Sequence, residues 1–189
     1  MEQHYGQWSN GVSNWIPTAW YEYWLGNDGE ILGTDFEDSS YTGVMTDHVM
    51  PLWAIAAMTF KLQSNEINLT CDACDGWSPD TAAHSTTSTP FLIYLCQKYF
   101  TLGTTGADSQ GGTILHELTH FTYSFQENGC EPLPNDGVAC QTQTITINGT
   151  GDYAYGTAAA AALAASNIHE ARYNADNWEF FYENPTNLQ

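Results

Sequence analysis

A five-residue pattern of two histidines around a glutamate, His116-Glu117-Leu118-Thr119-His120, constrains this chain more than any other feature of its sequence. Side chains four positions apart share one face of a helix, so both imidazoles can reach a single metal ion if this segment is helical. Asp108 or Ser109 can cap such a helix, which we expect to run from there to about Ser124. The pattern therefore predicts a helix that carries two ligands of a metal site.

The pattern is short, so its chance occurrence has to be considered. With six histidines in 189 residues, a random order of the same composition would contain it about 0.01 times. The alternative is a surface helix with two idle histidines. The apolar neighbours Ile114, Leu115 and Phe121 favour a buried, functional helix instead. We therefore predict that His116 and His120 bind a metal ion.

Glu117 follows the first histidine and lies on an adjacent face of the predicted helix. From there it can contact a water molecule beside the metal without being a ligand itself. Zinc lowers the pKa of such a water to about 7 and polarises a peptide carbonyl. Glu117 would take the proton of the attacking water. These residue types predict hydrolysis of peptide bonds by metal-activated water, with no covalent intermediate.

A catalytic zinc site takes three protein ligands and keeps one position open, so a third ligand must lie elsewhere. Glu127 and Glu131 lie in a segment that reads as a loop, and His169 is far along the chain. Asp152 is the better candidate. The equal alternative is that Asp152 is a turn residue capping the alanine-rich helix that we expect at Tyr155–Ile168.

Charge excludes several classes of partner. The chain has 3 Lys plus Arg against 22 Asp plus Glu, a formal net charge of −19. Neutralising phosphates needs basic side chains, so neither nucleic-acid binding nor docking on an anionic membrane is expected. The field of such a protein instead gathers metal ions and substrates that carry Lys or Arg. The remaining alternative is an acidic structural domain in which the histidine pattern is accidental.

Short apolar and polar segments alternate through the rest of the chain. Aromatic residues crowd residues 1–30, and most of them should be core. No run of 18 apolar residues occurs, so no transmembrane helix is expected, and no signal peptide is visible. The expected elements are a buried helix at 49–60, strands at 61–70, 91–96 and 142–147, loops at 75–90 and 126–151, and a last helix at 171–183.

Five cysteines leave their pairing open. Cys130 and Cys140 flank a loop rich in Pro, Asn, Asp and Gly, which a disulfide between them would close. Cys96 could pair with Cys74 or with Cys71, leaving one thiol over. The alternatives are five reduced thiols in the core, or a zinc site built on the CxxC spacing of Cys71 and Cys74, which lacks the second CxxC of a four-cysteine site.

The histidine pattern is followed by the segment Gly149-Thr150-Gly151-Asp152-Tyr153-Ala154-Tyr155-Gly156. Together they resemble the aspzincins, the deuterolysin family of zinc endopeptidases. Residues 91–121 resemble the family's strand, loop and active-site helix, and residues 174–181 resemble its closing helix. The resemblance implies a single-domain α+β zincin-like fold over residues 1–189, helix-dominated, with a small mixed sheet and the active-site helix. Residues 1–44 match the family less clearly.

The resemblance also implies the roles of individual residues. The zinc ligands would be His116, His120 and Asp152, the general base Glu117, and the hydroxyl that stabilises the oxyanion that of Tyr155. A packed aromatic is the alternative for this tyrosine. One Zn²⁺ ion, protein or peptide substrates, and a secreted protein with oxidised cysteines follow from the same resemblance. We further expect a monomer.

Asp176 and Glu179 lie three positions apart, so on a helix they form one anionic patch suited to an ammonium group. Their segment resembles that of the peptidyl-Lys metalloendopeptidase branch, in which the aspartate lines a lysine pocket. This resemblance implies cleavage on the amino side of Lys or another basic residue, with both carboxylates binding substrate. The alternative is a solvated acidic face on a chain that is acidic throughout.

Two features depart from the family. The long interval from His120 to Asp152 contains the Cys130–Cys140 insertion and resembles the broader deuterolysins more than the lysine-specific branch. The family's early cysteine has no counterpart before Cys71, so either Cys71 is unpaired or the disulfide scheme differs. The alternative function is a non-catalytic zinc-binding secreted or surface protein on the same scaffold.

Overall fold

The structure is a computed structural model that describes residues 6–9, 14–17, 19–26, 66–72, 74–132 and 138–183 of the chain. Its helices are α1 (Ala19–Leu25), α2 (Gln110–Thr119), α3 (Thr157–Ser166), α4 (Ile168–Arg172) and α5 (Ala175–Glu183), with a 3-10 helix at Gln97–Thr101. Its strands are β1 (Gly6–Ser9), β2 (Asn14–Pro17), β3 (Asn68–Thr70), β4 (Ala83–Ser85), β5 (Leu92–Leu95), β6 (Tyr123–Pro132) and β7 (Val138–Ile147). The helix expected at 49–60 lies outside the described residues.

A small mixed sheet packs beside α2. Its order is β3-β5-β4, with β3 parallel and β4 antiparallel to β5. The apolar run at 91–96 forms the central strand, which confirms the expected α+β class with a small mixed sheet. The prediction of a loop throughout 75–90 is wrong at β4. This strand is too short for alternation to show in the sequence, and pairing with the apolar β5 decides its conformation.

Helix α2 begins where the sequence predicts and ends earlier. Ser109 is the N-cap, and its hydroxyl accepts a hydrogen bond from the Gly112 N–H at 3.0 Å. The prediction that the helix continues to about Ser124 is wrong. The Thr119 carbonyl accepts the Thr150 N–H at 2.8 Å, so a distant segment takes the place of the next helical turn.

A long hairpin follows α2. Strands β6 and β7 pair antiparallel over ten positions, with Cys130 opposite Cys140 in the register. The strand predicted at 142–147 is confirmed as the end of β7. The prediction of a loop over the rest of 126–151 is wrong at β6 and at the start of β7, because β6 contains Gln, Asn and Gly and its strand conformation depends on pairing with β7. The side chains of these two cysteines lie outside the described part, so their disulfide stays a prediction.

The hydrophobic core joins the aromatic N-terminal helix to the closing helix. In α1, Tyr21 and Trp24 are buried, as the crowding of aromatic residues predicts, and the Trp24 ring lies 5.4 Å from that of Phe180 in α5. The alanine-rich α3 packs against both helices through its buried alanines, Ala160 and Ala164. Within the described residues, no helix has the length and apolar character needed to cross a membrane.

A disulfide bond cross-links the segment that precedes α2. Cys74 and Cys96 are bonded across a sequence separation of 22, while Cys71 is exposed and free. Of the two partners that the sequence leaves open for Cys96, the structure therefore selects Cys74. The alternative of five reduced thiols is excluded by this bond.

Candidate metal centre and active site

Three side chains from two parts of the chain converge at the C-terminal half of α2. The Nε2 atoms of His116 and His120 lie 3.2 and 3.5 Å from Oδ1 of Asp152, and the three groups offer ligand atoms within 4.8 Å of one another. Ligands about 2.0–2.1 Å from a tetrahedral zinc ion are separated by about 3.3 Å. Two imidazole nitrogens and one carboxylate oxygen at these separations therefore fit a zinc ion.

The other nitrogen of each imidazole is held by the protein. His116 Nδ1 lies 2.8 Å from Asp176 Oδ1 and 3.3 Å from Glu179 Oε2, while His120 Nδ1 lies 3.0 Å from the Thr150 carbonyl. Because these acceptors bind the Nδ1–H groups, Nε2 is the nitrogen of each imidazole that remains to bind a metal ion. Outer partners of this kind orient metal-binding histidines and make them more basic.

The carboxylates around His116 dominate its titration. Burial lowers the pKa of His116, but hydrogen bonds to Asp152, Asp176 and Glu179 outweigh burial and raise that pKa well above its usual range. Burial raises the pKa of Asp152, but the hydrogen bond from His116 and the charges of both histidines outweigh it, so the Asp152 pKa is lowered. The site thus favours a positive charge among ionised carboxylates, which is what a bound cation supplies.

The Glu117 side chain contacts the edge of the sheet. Its side chain is buried, with the residue only 6% exposed, and its Oε2 accepts a 2.7 Å hydrogen bond from the Ser85 hydroxyl. Ser85 is the last residue of β4, so the edge of the sheet holds this carboxylate beside the candidate metal ligands. Sequence reasoning missed Ser85, because no local signal connects it to a residue on a different element.

Tyr155 lies over His116, one of the candidate metal ligands. Its ring stacks on that of His116 with centroids 6.4 Å apart. Tyr155 is 66% exposed, which makes its hydroxyl accessible from the cleft and does not fit the alternative of a packed core aromatic. Partial burial and the Asp152 carboxylate raise the pKa of Tyr155, so the phenol stays protonated and can donate.

Asp176 and Glu179 face His116 from α5. They are 4% and 3% exposed, so neither lies on a solvated acidic face. Asp176 Oδ2 accepts the Gly156 N–H at 2.6 Å, while Glu179 Oε1 is buried without a hydrogen-bond partner among the described residues. Burial, assisted by the charges of Glu183 and Asp176, raises the pKa of Glu179 to about 7.

Comparison with known proteins shows the family of this chain. Residues 40–183 match the model of the aspzincin family, described as lysine-specific metallo-endopeptidase. The chain belongs to the aspzincin family. The zinc peptidase from Grifola frondosa has the same fold, with a TM-score of 0.61 and 27% identity over 95% of this chain and 83% of that one.

Curated relatives match about half of this aspzincin. The peptidyl-Lys metalloendopeptidase of Armillaria mellea is 45% identical over 92 residues, which are 49% of this chain and 20% of that protein. The extracellular protease of Aeromonas hydrophila is 37% identical over 95 residues, 50% of this chain and 21% of that protein. The matched region is thus about a fifth of the length of these relatives.

All seven residues singled out in the sequence line one cleft of this aspzincin, which has a volume of about 1000 Å³. The opposite wall is formed by residues 80–87, which include β4, together with Trp77. The Trp77 ring stacks on His84 at 4.2 Å, and His84 stacks on Tyr94 of the central strand at 4.6 Å. The cleft therefore runs between the sheet edge and the ligand-bearing segments.

Proposed function

We propose that this aspzincin is a secreted, monomeric endopeptidase that holds one zinc ion and cuts internal peptide bonds on the amino side of lysine. The observation that carries the proposal is the convergence of His116, His120 and Asp152 beside the buried carboxylate of Glu117. The Cys74–Cys96 disulfide and the similarity to an extracellular protease support secretion.

A zinc ion held by the two histidines and Asp152 would polarise the scissile carbonyl and acidify a water molecule. Ser85 occupies one oxygen of Glu117, so the carboxylate is oriented with its other oxygen available to take the proton of the attacking water. The same carboxyl group then passes the proton to the leaving amine. The Tyr155 hydroxyl donates a hydrogen bond to the negative charge that develops on the carbonyl oxygen.

The two carboxylates of α5 support different roles in the preference for lysine. Both oxygens of Asp176 already accept hydrogen bonds, from His116 and from the Gly156 N–H. Glu179 keeps Oε1 buried without a partner among the described residues, and such an oxygen is costly unless a ligand satisfies it. We assign Glu179 as the group that binds the lysine ammonium. Asp176 would form part of the pocket wall and orient His116 through the hydrogen bond to Nδ1.

The first test is mass spectrometry of peptides released from a denatured protein mixture, with and without a chelator. Fragments that begin with Lys and disappear with the chelator are expected. Chelator-sensitive fragments with random first residues would contradict the lysine preference and leave a general endopeptidase.

Glu117→Gln should keep zinc and lose turnover by orders of magnitude, and retained turnover would contradict Glu117 as the base.

A pair of isosteric changes tests the division between the carboxylates. Glu179→Gln should reduce the preference for Lys while zinc binding stays intact. Asp176→Asn should weaken zinc binding, because an amide accepts less strongly from His116 Nδ1. Equal loss of zinc binding in both variants would contradict separate roles. The alternative of a non-catalytic zinc protein predicts no release of peptides at all.

A further inference from the structure

Asn174 is fully buried and every hydrogen-bonding group of its amide is used. Its Oδ1 accepts the N–H groups of Tyr153 at 2.7 Å and Ala154 at 3.0 Å. Its Nδ2 donates to the Ala154 carbonyl at 3.0 Å and to Asn177 Oδ1 at 2.7 Å. A side-chain amide has two donor hydrogens and one oxygen with two lone pairs, so no capacity is left over.

Three of these four bonds go to the backbone between two functional residues. Tyr153 and Ala154 lie directly between Asp152, the third ligand, and Tyr155. This stretch precedes α3 and has no helix or strand of its own to fix it. The amide therefore supplies, at residues 153 and 154, the backbone pairing that regular secondary structure supplies elsewhere.

The main-chain groups of the two residues that flank Asn174 also hydrogen-bond to this segment. The Gly151 N–H donates to the Tyr173 carbonyl at 2.7 Å, and the Gly151 carbonyl accepts the Ala175 N–H at 3.0 Å. Asn177, the remaining partner of Asn174, donates to carbonyls of Trp24 in α1 and Ala160 in α3. The backbone around Asp152 is thus connected through Asn174 to the helical core.

We propose that Asn174 is a positioning residue for the metal centre. By hydrogen-bonding to the backbone of residues 153 and 154, it places the Asp152 carboxylate against both histidines. The same bonds place Tyr155 over the His116 ring. The ligand is then ordered before zinc arrives, so binding does not have to supply the cost of ordering the loop. The proposal rests on the metal site proposed above, but concerns zinc affinity separately from peptidase activity.

The test compares Asn174→Ala with Asn177→Ala, using the purified chain and a chromophoric chelator that competes for zinc. Asn177 is equally buried and belongs to the same network, but none of its hydrogen bonds reaches the segment from Gly151 to Gly156. Asn174→Ala should weaken zinc affinity about 10- to 100-fold. Asn177→Ala should lower thermal stability by about as much as Asn174→Ala does. It should leave zinc affinity within about threefold of that of the original chain.

Asn174→Asp covers the case in which the alanine variant does not fold. It keeps the oxygen that accepts from Tyr153 and Ala154 but loses both donors, so an intermediate loss of zinc affinity is expected. If the Asn174 variants lose stability but bind zinc as tightly as the original chain does, the positioning role is wrong. With a lysine peptide, the variants should lower kcat at saturating zinc more than they change KM. Weakened zinc binding without any peptidase activity in the original chain would overturn the proposed function alone.

Discussion

The two nitrogens of each histidine at the candidate metal site have different neighbours. Nε2 faces the Asp152 carboxylate, while Nδ1 is held by Asp176 for His116 and by the Thr150 carbonyl for His120. The imidazole types and their spacing predict that both histidines can be ligands. The groups that accept hydrogen bonds from the two Nδ1 atoms lie at distant positions in the sequence, and one of them is a main-chain carbonyl. No residue pattern in the sequence therefore predicts them.

Ser85 provides a test at the same scale. Replacing it with alanine removes a hydrogen bond to the charged Glu117, worth about 1.5–3 kcal/mol, so kcat should fall about tenfold or more with KM unchanged. Steady-state kinetics with a lysine peptide measures both constants. Ser85→Thr keeps the hydroxyl on a strand residue and should restore kcat.

Ser88→Ala is the matched control for the Ser85 variant. Ser88 is exposed, and its hydroxyl hydrogen-bonds to the Thr86 hydroxyl, so kcat should not change. If Ser85→Ala retained full kcat, then Ser85 would not orient the carboxylate.

At the scale of elements, α2 and α5 approach each other at Gly112. A Cβ at this position would overlap the carboxylates of Glu183 and Glu179, which extend from α5. Glu183 accepts the N–H groups of Asp108 at 3.0 Å and Ser109 at 2.8 Å, so it satisfies donors at the start of α2. The glycine lets the closing helix cap the active-site helix.

Gly112→Ala should therefore destabilise the fold by about 1–3 kcal/mol, because the added methyl group displaces the Glu183 carboxylate from its two donors. Gly111→Ala is the matched control on the same turn. Among the described residues, only the Ser109 hydroxyl lies near a Cβ there, so the gain in helix propensity, up to about 1 kcal/mol, should remain. Urea unfolding measures both, and equal stabilisation by the two changes would contradict the steric argument.

The elements also show where local patterns suffice. The capping Ser109 and the apolar residues around the histidines predict the start of α2, because both are local interactions along one helix. Its end depends on the distant Thr150, and β6 depends on its partner β7. Neither of these is encoded within the segment itself, which is why the predictions of a longer helix and of a loop are wrong.

At the scale of the whole molecule, the Cys74–Cys96 bond closes a covalent loop that contains β4 and β5 of the small sheet. The chain-entropy estimate for a loop of this length is about 3 kcal/mol. Changing both cysteines to serine should lower the free energy of unfolding by about that amount, as measured by denaturant titration. Cys71→Ser, which removes an exposed free thiol, should leave that free energy unchanged.

The charge of the molecule predicts a salt dependence. A net charge of −19 attracts cationic peptides over distances of a Debye length, which shrinks from about 30 Å at 0.01 M salt to about 3 Å at 1 M. Added salt should therefore lower kcat/KM for a lysine-rich peptide. A peptide with one lysine and no net charge is the control and should respond less. Equal responses of the two peptides would contradict long-range attraction.

The sequence by itself determined the family, the α+β class with its mixed sheet, and the helix with paired histidines. The paired-histidine helix and the motifs that carry the family resemblance depend on residue type and short-range spacing, which the order of residues carries directly, and the α+β class with its mixed sheet follows from that resemblance. Only the tertiary structure decided that Asp176 stands behind His116, that Ser85 holds Glu117, and that Asn174 grips the Asp152 segment. These contacts join separate elements, and packing of the core, with no local rule, sets the distances between them.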